Sequence, residues 1–387
     1  MRTGAGSERA WRGHDERPVS VPVCKPQLPS ADRLLPYLRD IDAARWYSND
    51  GQLVRRFERR LSEHADAPSP GHVAAACNAT AALTATLLAL ETAPGSLCMM
   101  PAWTFAATGQ GVVRAGLVPW FVDVDEVGSL APAAARRFAV DAPGRLGAVV
   151  AVSPFGRPLD ARGWETFQHE TGLPVVLDGA AAFDTVRASA VPVVVSLHAT
   201  KVLGTGEGAF VTCADARRMR AVRERINFGF AGSREAVASA MNAKMSEYAA
   251  AVGLAALDEW SAARDAFRRV ALDYAAALRG IPGLRLQSGY GTEWVSATTV
   301  VETPPGRLEA VEDALSESGI GSRRWWGDGL AAQRAFARYP RSALPVTAAL
   351  AASTLGLPCW PDLGGDTVAR IAEIVHAACA RAPAGRR

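Results

Sequence analysis

A lysine placed just past an apolar strand, among hydroxyls and glycines, is the residue in this chain best suited to covalent chemistry. The stretch is VVVSLHATKVLGTGEGAFV, residues 193–211. It carries Ser196, His198, Thr200 and Lys201, then Gly204, Gly206, Glu207 and Gly208, and returns to an apolar strand. A lysine that forms a Schiff base needs a desolvated site that lowers its pKa. It also benefits from glycines that let a bulky carbonyl compound approach the backbone. On this stretch alone, an ordinary loop lysine is an equal alternative.

A second segment tips that balance. LPVVLDGAAAF, residues 173–183, reads as a buried strand ending in Asp178. A carboxylate buried there is costly unless a cation satisfies it. Asp178 either caps the helix that follows or faces a cationic heterocycle. A lysine Schiff base combined with an aspartate on a ring nitrogen is the signature of pyridoxal phosphate (PLP) enzymes. Asp178 and Lys201 on successive strands favour the cofactor. The glycines at 204, 206 and 208 are no dinucleotide fingerprint, because they lead into a strand and that fingerprint opens a helix.

The elements that position these residues can be read around them. HVAAACNATAALTATLLAL, 72–90, is a strand, a sharp turn and a long apolar helix with Asn78, Ala79 and Thr80 at its start. Free N–H groups and the positive dipole end make that start an anion site; a ligand-free Asn or Thr cap would use the same donors. SLCMMPAWTFAATGQGVVRAG gives strand, loop and helix, with Phe105 and its neighbour Trp103 suited either to a flat ring or to the core. LVPWFVDVD and LGAVVAVSPFG add short apolar strands. Strands alternating with helices predict a mainly parallel sheet covered on both faces. Its ligand belongs beyond the carboxyl ends of the strands. Ahead of this lie two helices, ADRLLPYLRDIDAA with Ser30 at its N-cap and LVRRFERRLSEHA, joined by the polar turn RWYSNDGQ that holds Asn49. NAKMSEYAAAVGLAALDEW, 242–260, reads as one long helix beginning at Asn242. Helices and a strand follow, with the loop SRRWWGDG, 322–329. Arg323 and Arg324 can fork phosphates, and Trp325 and Trp326 can cover a base or sugar; the alternative is a packing loop.

Five blocks in order resemble one family: NATAAL, PAWTFAATGQGVVRAGLVPWFVDVD, VVLDGAAAF, SLHATKVLGTGEGAF and NAKMSEYAAAVGLAAL. The chain resembles the DegT/DnrJ/EryC1/StrS aminotransferases from about residue 21 to about 380. The resemblance implies an α/β fold of type I, aspartate-aminotransferase-like, with a mainly parallel seven-stranded sheet. It implies a large domain over 21–260 and a smaller C-terminal α+β domain over 261–387. It further implies that Lys201 forms the Schiff base, Asp178 meets the ring nitrogen, and Phe105 stacks on the ring. Backbone at Ala79, with Thr80 and Ser196, would hold the phosphate. Asn49 would lie near the active site, and Asn242 would cross a dimer interface to the neighbour's phosphate. The family commonly has Gly at position 79, Arg at 244 and Gln or His at 181; here these are Ala79, Lys244 and Ala181. The implied reaction moves an amino group, with glutamate as donor, to a nucleotide-linked keto sugar, best matched by dTDP-4-keto-6-deoxyglucose at C4. The rivals are a sugar dehydratase of the same family, in which His replaces the lysine, a cyclitol aminotransferase, and a non-catalytic PLP-binding regulator.

Composition narrows the classes. The chain has 387 residues and a net charge of +3, which argues against a nucleic-acid partner. No apolar run is long enough to span a bilayer and no signal peptide is visible. The six cysteines are scattered without a CxxC, so they read as reduced thiols of a cytoplasmic protein and not as a metal site. Residues 1–20 and the terminal RAPAGRR read as disordered tails.

Overall fold

Four- to seven-residue runs of small and branched apolar residues build the central sheet. The computed structural model describes residues 20–380. Its strands are β1 (Val73–Ala76), β2 (Leu97–Pro101), β3 (Val118–Val122), β4 (Leu146–Val152), β5 (Val175–Asp178), β6 (Val193–Ser196) and β7 (Ala209–Thr212). They stand in the order β1-β7-β6-β5-β4-β2-β3. Neighbours from β3 through to β6 pair in parallel, and β7 runs antiparallel to both β6 and β1. Both faces are covered, which is why the strands read as unbroken apolar runs. Alternate residues supply two cores. Met99, Val149, Leu177 and Phe210 pack on one side, while Met100, Val150, Val176 and Val211 pack on the other.

Both sheet edges are closed by groups from outside the sheet. At β1, the Ala75 N–H donates to the buried Glu58 carboxylate at 2.8 Å, and the Cys77 N–H donates to the Ala243 carbonyl. Glu58 is itself paired with Arg223 at 2.9 Å. At β3, the Phe121 N–H donates to the Pro340 carbonyl. Such covering removes the unpaired donors that make edge strands sticky.

A second sheet is antiparallel, in the order β10-β9-β8, from β8 (Arg285–Leu286), β9 (Thr299–Glu302) and β10 (Thr354–Leu357). Helices Leu308–Glu317 and Gly365–Ala380 pack against each other beside it. The first described residues join this region: the Gly321 N–H donates to the Val21 carbonyl, and the Cys359 N–H to the Val23 carbonyl. Residues 21–23, assigned from sequence to the large domain, therefore hydrogen-bond to the chain's last third. Of the expected tail, residues 1–19 lie outside the described residues, and Ser20 is tied to the Gly319 carbonyl at 2.9 Å. RAPAGRR also lies outside the described residues.

Three buried carboxylates lock the parts together. Asp184 pairs with Arg264 at 2.5 Å and accepts from the Val295 N–H. Asp123, just past β3, accepts from the Val346 and Thr347 N–H groups at the start of helix Pro345–Ala351. Glu247 is 2 % exposed and accepts from Leu53 and Val54 at 2.7 and 3.0 Å, capping helix Gln52–His64. Gly51 permits this approach, since a Cβ there would stand 2.5 Å from the Glu247 carboxyl carbon. Glu247→Ala orphans two helix-start donors and opens a cavity. It is expected to cost about 2 kcal/mol, read as a lower thermal midpoint; an unchanged midpoint would show that the cap contributes nothing.

Candidate active site

Strand register brings the chemical residues to one rim. Ala76 and Ser196 both pair with Ala209, so the ends of β1 and β6 flank the same residue of β7. Asp178 pairs with Val194 on one side and Val152 on the other. The carboxyl ends of β1, β6, β5, β4 and β2 therefore line up, and the turns beyond them carry Asn78–Thr80, Ser196–Lys201, Asp178 and Trp103–Phe105. This is where an open α/β sheet holds its ligand.

The helix after β1 spans Ala79–Leu88. Asn78 caps it, its Oδ1 accepting from the Ala81 N–H at 2.9 Å. The N–H groups of Ala79 and Thr80 and the Thr80 hydroxyl have no partner among the described residues. The helix packs on β6, which ends in Ser196. Ser196 Oγ accepts from the His198 N–H at 3.3 Å, leaving its own proton free to donate. An anion with several oxygens fits this donor set.

Asp178 is 7 % exposed. Its Oδ2 accepts from the Thr108 hydroxyl at 2.7 Å and its Oδ1 from the Ala180 N–H at 3.1 Å. Burial raises its pKa, while Thr108, the Ala180 N–H and the charge of Lys201 oppose the rise. Burial lowers the pKa of Lys201, opposed by the Asp178 charge. The Lys201 amine makes no hydrogen bond among the described residues. An unpartnered amine with a depressed pKa is a nucleophile and a proton carrier. Thr108 and Thr104 were not singled out from sequence; Thr104 precedes the N-cap Phe105, Thr108 lies in the first turn of the helix, and two hydroxyls flanking a helix start in TFAAT were the available signal.

The glycines after Lys201 are needed by the turn itself. A Cβ on Gly204 would meet Ala199 at 3.0 Å, and one on Gly208 would meet Thr205 at 2.2 Å. Both positions are small so that the turn can fold on itself. Gly206 has φ +83°, and its carbonyl accepts from the Ala199 N–H. Phe105 is 59 % exposed at the start of helix Ala106–Arg114, and its ring meets no other ring within the described chain. Its competitor Trp103 is buried edge-on against Trp326 at 5.2 Å.

Three sequence expectations are corrected here. The helix expected from Asn242 begins at Glu247 and is capped by Ser246, whose Oγ accepts from the Ala249 N–H. Asn242 lies in an extended segment bridged to Asn227. Its Oδ1 accepts from Lys244 at 2.6 Å, and Lys244 sits 4.2 Å over the Phe228 ring. Arg324 is not free to fork phosphates, because Glu312 takes both its Nε and an Nη, at 3.0 and 2.6 Å. Trp326 is buried, stacked on Phe155 at 4.1 Å, and is not an open platform. Arg323 is exposed and stacks on the half-buried Trp325 at 4.9 Å, so this pair keeps a solvent-facing side in that loop. Asn49 is exposed at φ 62° in the turn held by the Glu247 N–H, which donates to the Tyr47 carbonyl. A cavity of about 530 Å³ lies beside Lys201, lined by Cys24–Pro29, the turn to Gly204, Trp260 and Trp360. Its lining includes none of Thr80, Phe105, Asp178 and Ser196.

A free amine, a buried carboxylate, an exposed aromatic ring and an unpartnered helix start on one rim fit the lysine link, ring nitrogen, ring face and phosphate of PLP. The DegT/DnrJ/EryC1/StrS aminotransferase family model matches residues 30–376. The chain belongs to this family. It is a PLP-dependent aminotransferase of fold type I. Among its relatives, dTDP-4-amino-4,6-dideoxy-D-glucose transaminase of Escherichia coli is 25% identical over 92% of this chain and 98% of the relative. UDP-N-acetyl-3-dehydro-alpha-D-glucosamine 3-aminotransferase of Acidithiobacillus ferrooxidans is 29% identical over 79% and 84%. The structure of DesI, solved in the presence of its TDP-sugar product, is 31% identical with a TM-score of 0.85, covering 95% of this chain and 94% of DesI. No helix among the described residues is long and apolar enough to cross a membrane.

The directions of the two pKa shifts predict reactivity. Lys201, half-buried and with its pKa lowered by desolvation, should react with an amine-directed acylating reagent in the apoprotein at lower pH than an ordinary surface lysine. Asp178→Asn removes the charge that favours the ammonium form, so the Lys201 profile should move lower still. Peptide mapping across a pH series reads both, and a Lys201 profile unmoved by Asp178→Asn would refute the coupling.

Proposed function

We propose that this aminotransferase moves an amino group from glutamate to a nucleotide-linked keto sugar, with dTDP-4-keto-6-deoxyglucose, aminated at C4, as the preferred substrate. The unpartnered Lys201 amine beside buried Asp178 carries the chemistry of this reading. The TDP-sugar product of DesI and the names of the relatives support the substrate class. The 3-aminotransferase relative favours a UDP-linked 3-keto sugar as the second reading.

Each residue has a defined task. The N–H groups of Ala79 and Thr80, with the hydroxyls of Thr80 and Ser196, hold the phosphate of PLP. Phe105 covers one ring face, and Asp178 takes the ring nitrogen. Lys201 holds the cofactor covalently and, once displaced by the donor, moves the proton at the donor Cα. When bound, PLP supplies the electron sink for breaking that Cα–H bond. Arg323 and Trp325 meet the nucleotide part. Lysine at position 201 argues against the dehydratase alternative.

The site is shared between two chains of a cytoplasmic homodimer in this proposal. Asn242, with its carbonyl oxygen held by Lys244, turns its amide N–H₂ toward the neighbour's phosphate. Exposed Tyr47, Tyr248 and Phe228 supply apolar surface for the contact. The primary test is a panel of dTDP- and UDP-linked keto sugars with glutamate, followed by mass spectrometry. Amino sugar and 2-oxoglutarate should form in equal amounts, fastest with the dTDP 4-keto sugar; no turnover of any nucleotide sugar would refute the substrate class.

Two further outcomes are expected. The chain has three lysines, Lys25, Lys201 and Lys244. Borohydride reduction of the holoenzyme should leave the pyridoxyl label on Lys201, and a label on either other lysine would overturn the assignment. Lys201→Ala and Asn242→Asp should each be inactive, and mixing them should restore part of the activity, because a mixed dimer has one site free of both defects. If subunits demonstrably exchange and no activity returns, Asn242 acts within its own chain.

A further inference from the structure

Asp178 can serve a ring nitrogen only as a carboxylate, yet it sits at a buried strand end. Three groups favour its charged form: the Ala180 N–H, the charge of Lys201 and the Thr108 hydroxyl. The first is backbone. The second is lost whenever the Lys201 amine is neutral, the form that burial favours. Among the described residues, Thr108 is the one side-chain donor to Asp178 that persists in every state of Lys201.

The hydroxyls form a directed chain. Thr104 is 0 % and Thr108 1 % exposed. Their Oγ1 atoms are 2.8 Å apart, and Thr108 Oγ1 is 2.7 Å from Asp178 Oδ2. An ionised carboxylate only accepts, so Thr108 donates its proton to Asp178 and Thr104 donates to Thr108. A chain of this polarity strengthens its last link in a low-dielectric site. Thr108 lies in the first turn of helix Ala106–Arg114, whose positive end also favours the anion. Each Asp178 oxygen keeps a second lone pair after accepting from Thr108 and Ala180. Phe105 stands between the two threonines in the chain, so one loop supplies the ring face and the support of the ring's counter-ion.

We propose that Thr108, backed by Thr104, is a positioning residue that keeps Asp178 ionised and aimed at the ring nitrogen of the cofactor. This rests on the reading of the rim as a PLP site. The test measures dissociation constants of the full-length apoprotein for PLP and for its deaza analogue, in which C–H replaces the ring nitrogen. Wild type should prefer PLP. Thr108→Val, nearly isosteric, should cut that preference about tenfold while leaving the analogue's affinity unchanged, and Thr108→Ser should restore it. In holoenzyme loaded with ¹⁵N-labelled cofactor, the ring-nitrogen resonance should move toward the unprotonated position in Thr108→Val and stay in place in Thr108→Ser. Should Thr108→Val fail to fold, Thr104→Val removes the backing donor and should shift preference and resonance in the same direction by less. A retained wild-type preference in the variant, or equal loss of both ligands, overturns the role of Thr108. No preference in the wild type overturns instead the assignment of Asp178 to a ring nitrogen.

Discussion

A buried carboxylate electrostatically coupled to a half-buried amine sets the terms for this enzyme. Burial pushes the Asp178 carboxyl up and the Lys201 amine down, and each charge resists the shift of the other. The pair tolerates burial because the hydroxyl and N–H donors around Asp178 replace water. No hydrogen bond among the described residues occupies the Lys201 amine. An Asp and a Lys on the open surface would be screened by water and salt.

That placement depends on the sheet. β5 and β6 are adjacent and parallel, so their carboxyl ends deliver Asp178 and the Lys201 turn to one side. β7 inserts antiparallel between β6 and β1, which brings the helix start at Ala79 to the same rim although 122 residues separate Ala79 from Lys201. The antiparallel strand also explains the glycines that precede it. The chain must reverse direction within a few residues of Lys201, and compact packing of Gly204 and Gly208, with the left-handed Gly206, allows it.

The rest of the molecule keeps the rim still through buried polar contacts. Asp184 ties the β5–β6 connection to Arg264 and Val295, and Ser296 Oγ donates to the Phe155 carbonyl at 2.6 Å. Phe155 then carries Trp326, which touches Trp103 two residues before Phe105. A short aromatic path thus runs from the loop expected to meet the nucleotide to the loop bearing the exposed ring. Burying a hydrogen-bonded carboxylate at each joint specifies one arrangement, since any slip would strand a charge away from water.

Much of the candidate site's placement was legible along the chain. Lys201, Asp178 and the Asn78–Thr80 turn stand at the ends of short apolar runs, and a run followed by a turn is a local pattern that needs no knowledge of distant residues. The alternation of strands and helices pointed to the parallel sheet for the same reason. Partnerships across long separations were decided only by tertiary structure. Thr108 meets Asp178 from 70 residues away, Glu312 pairs with Arg324, and Glu247 caps a helix nearly 200 residues upstream. Asn242 shows a local ambiguity: Asn and Ser are both good helix caps, and Ser246 took the role because the Asn242 segment pairs with Asn227 and with β1 instead. A side chain's type states which bonds it can make; packing alone decides which partner comes within reach.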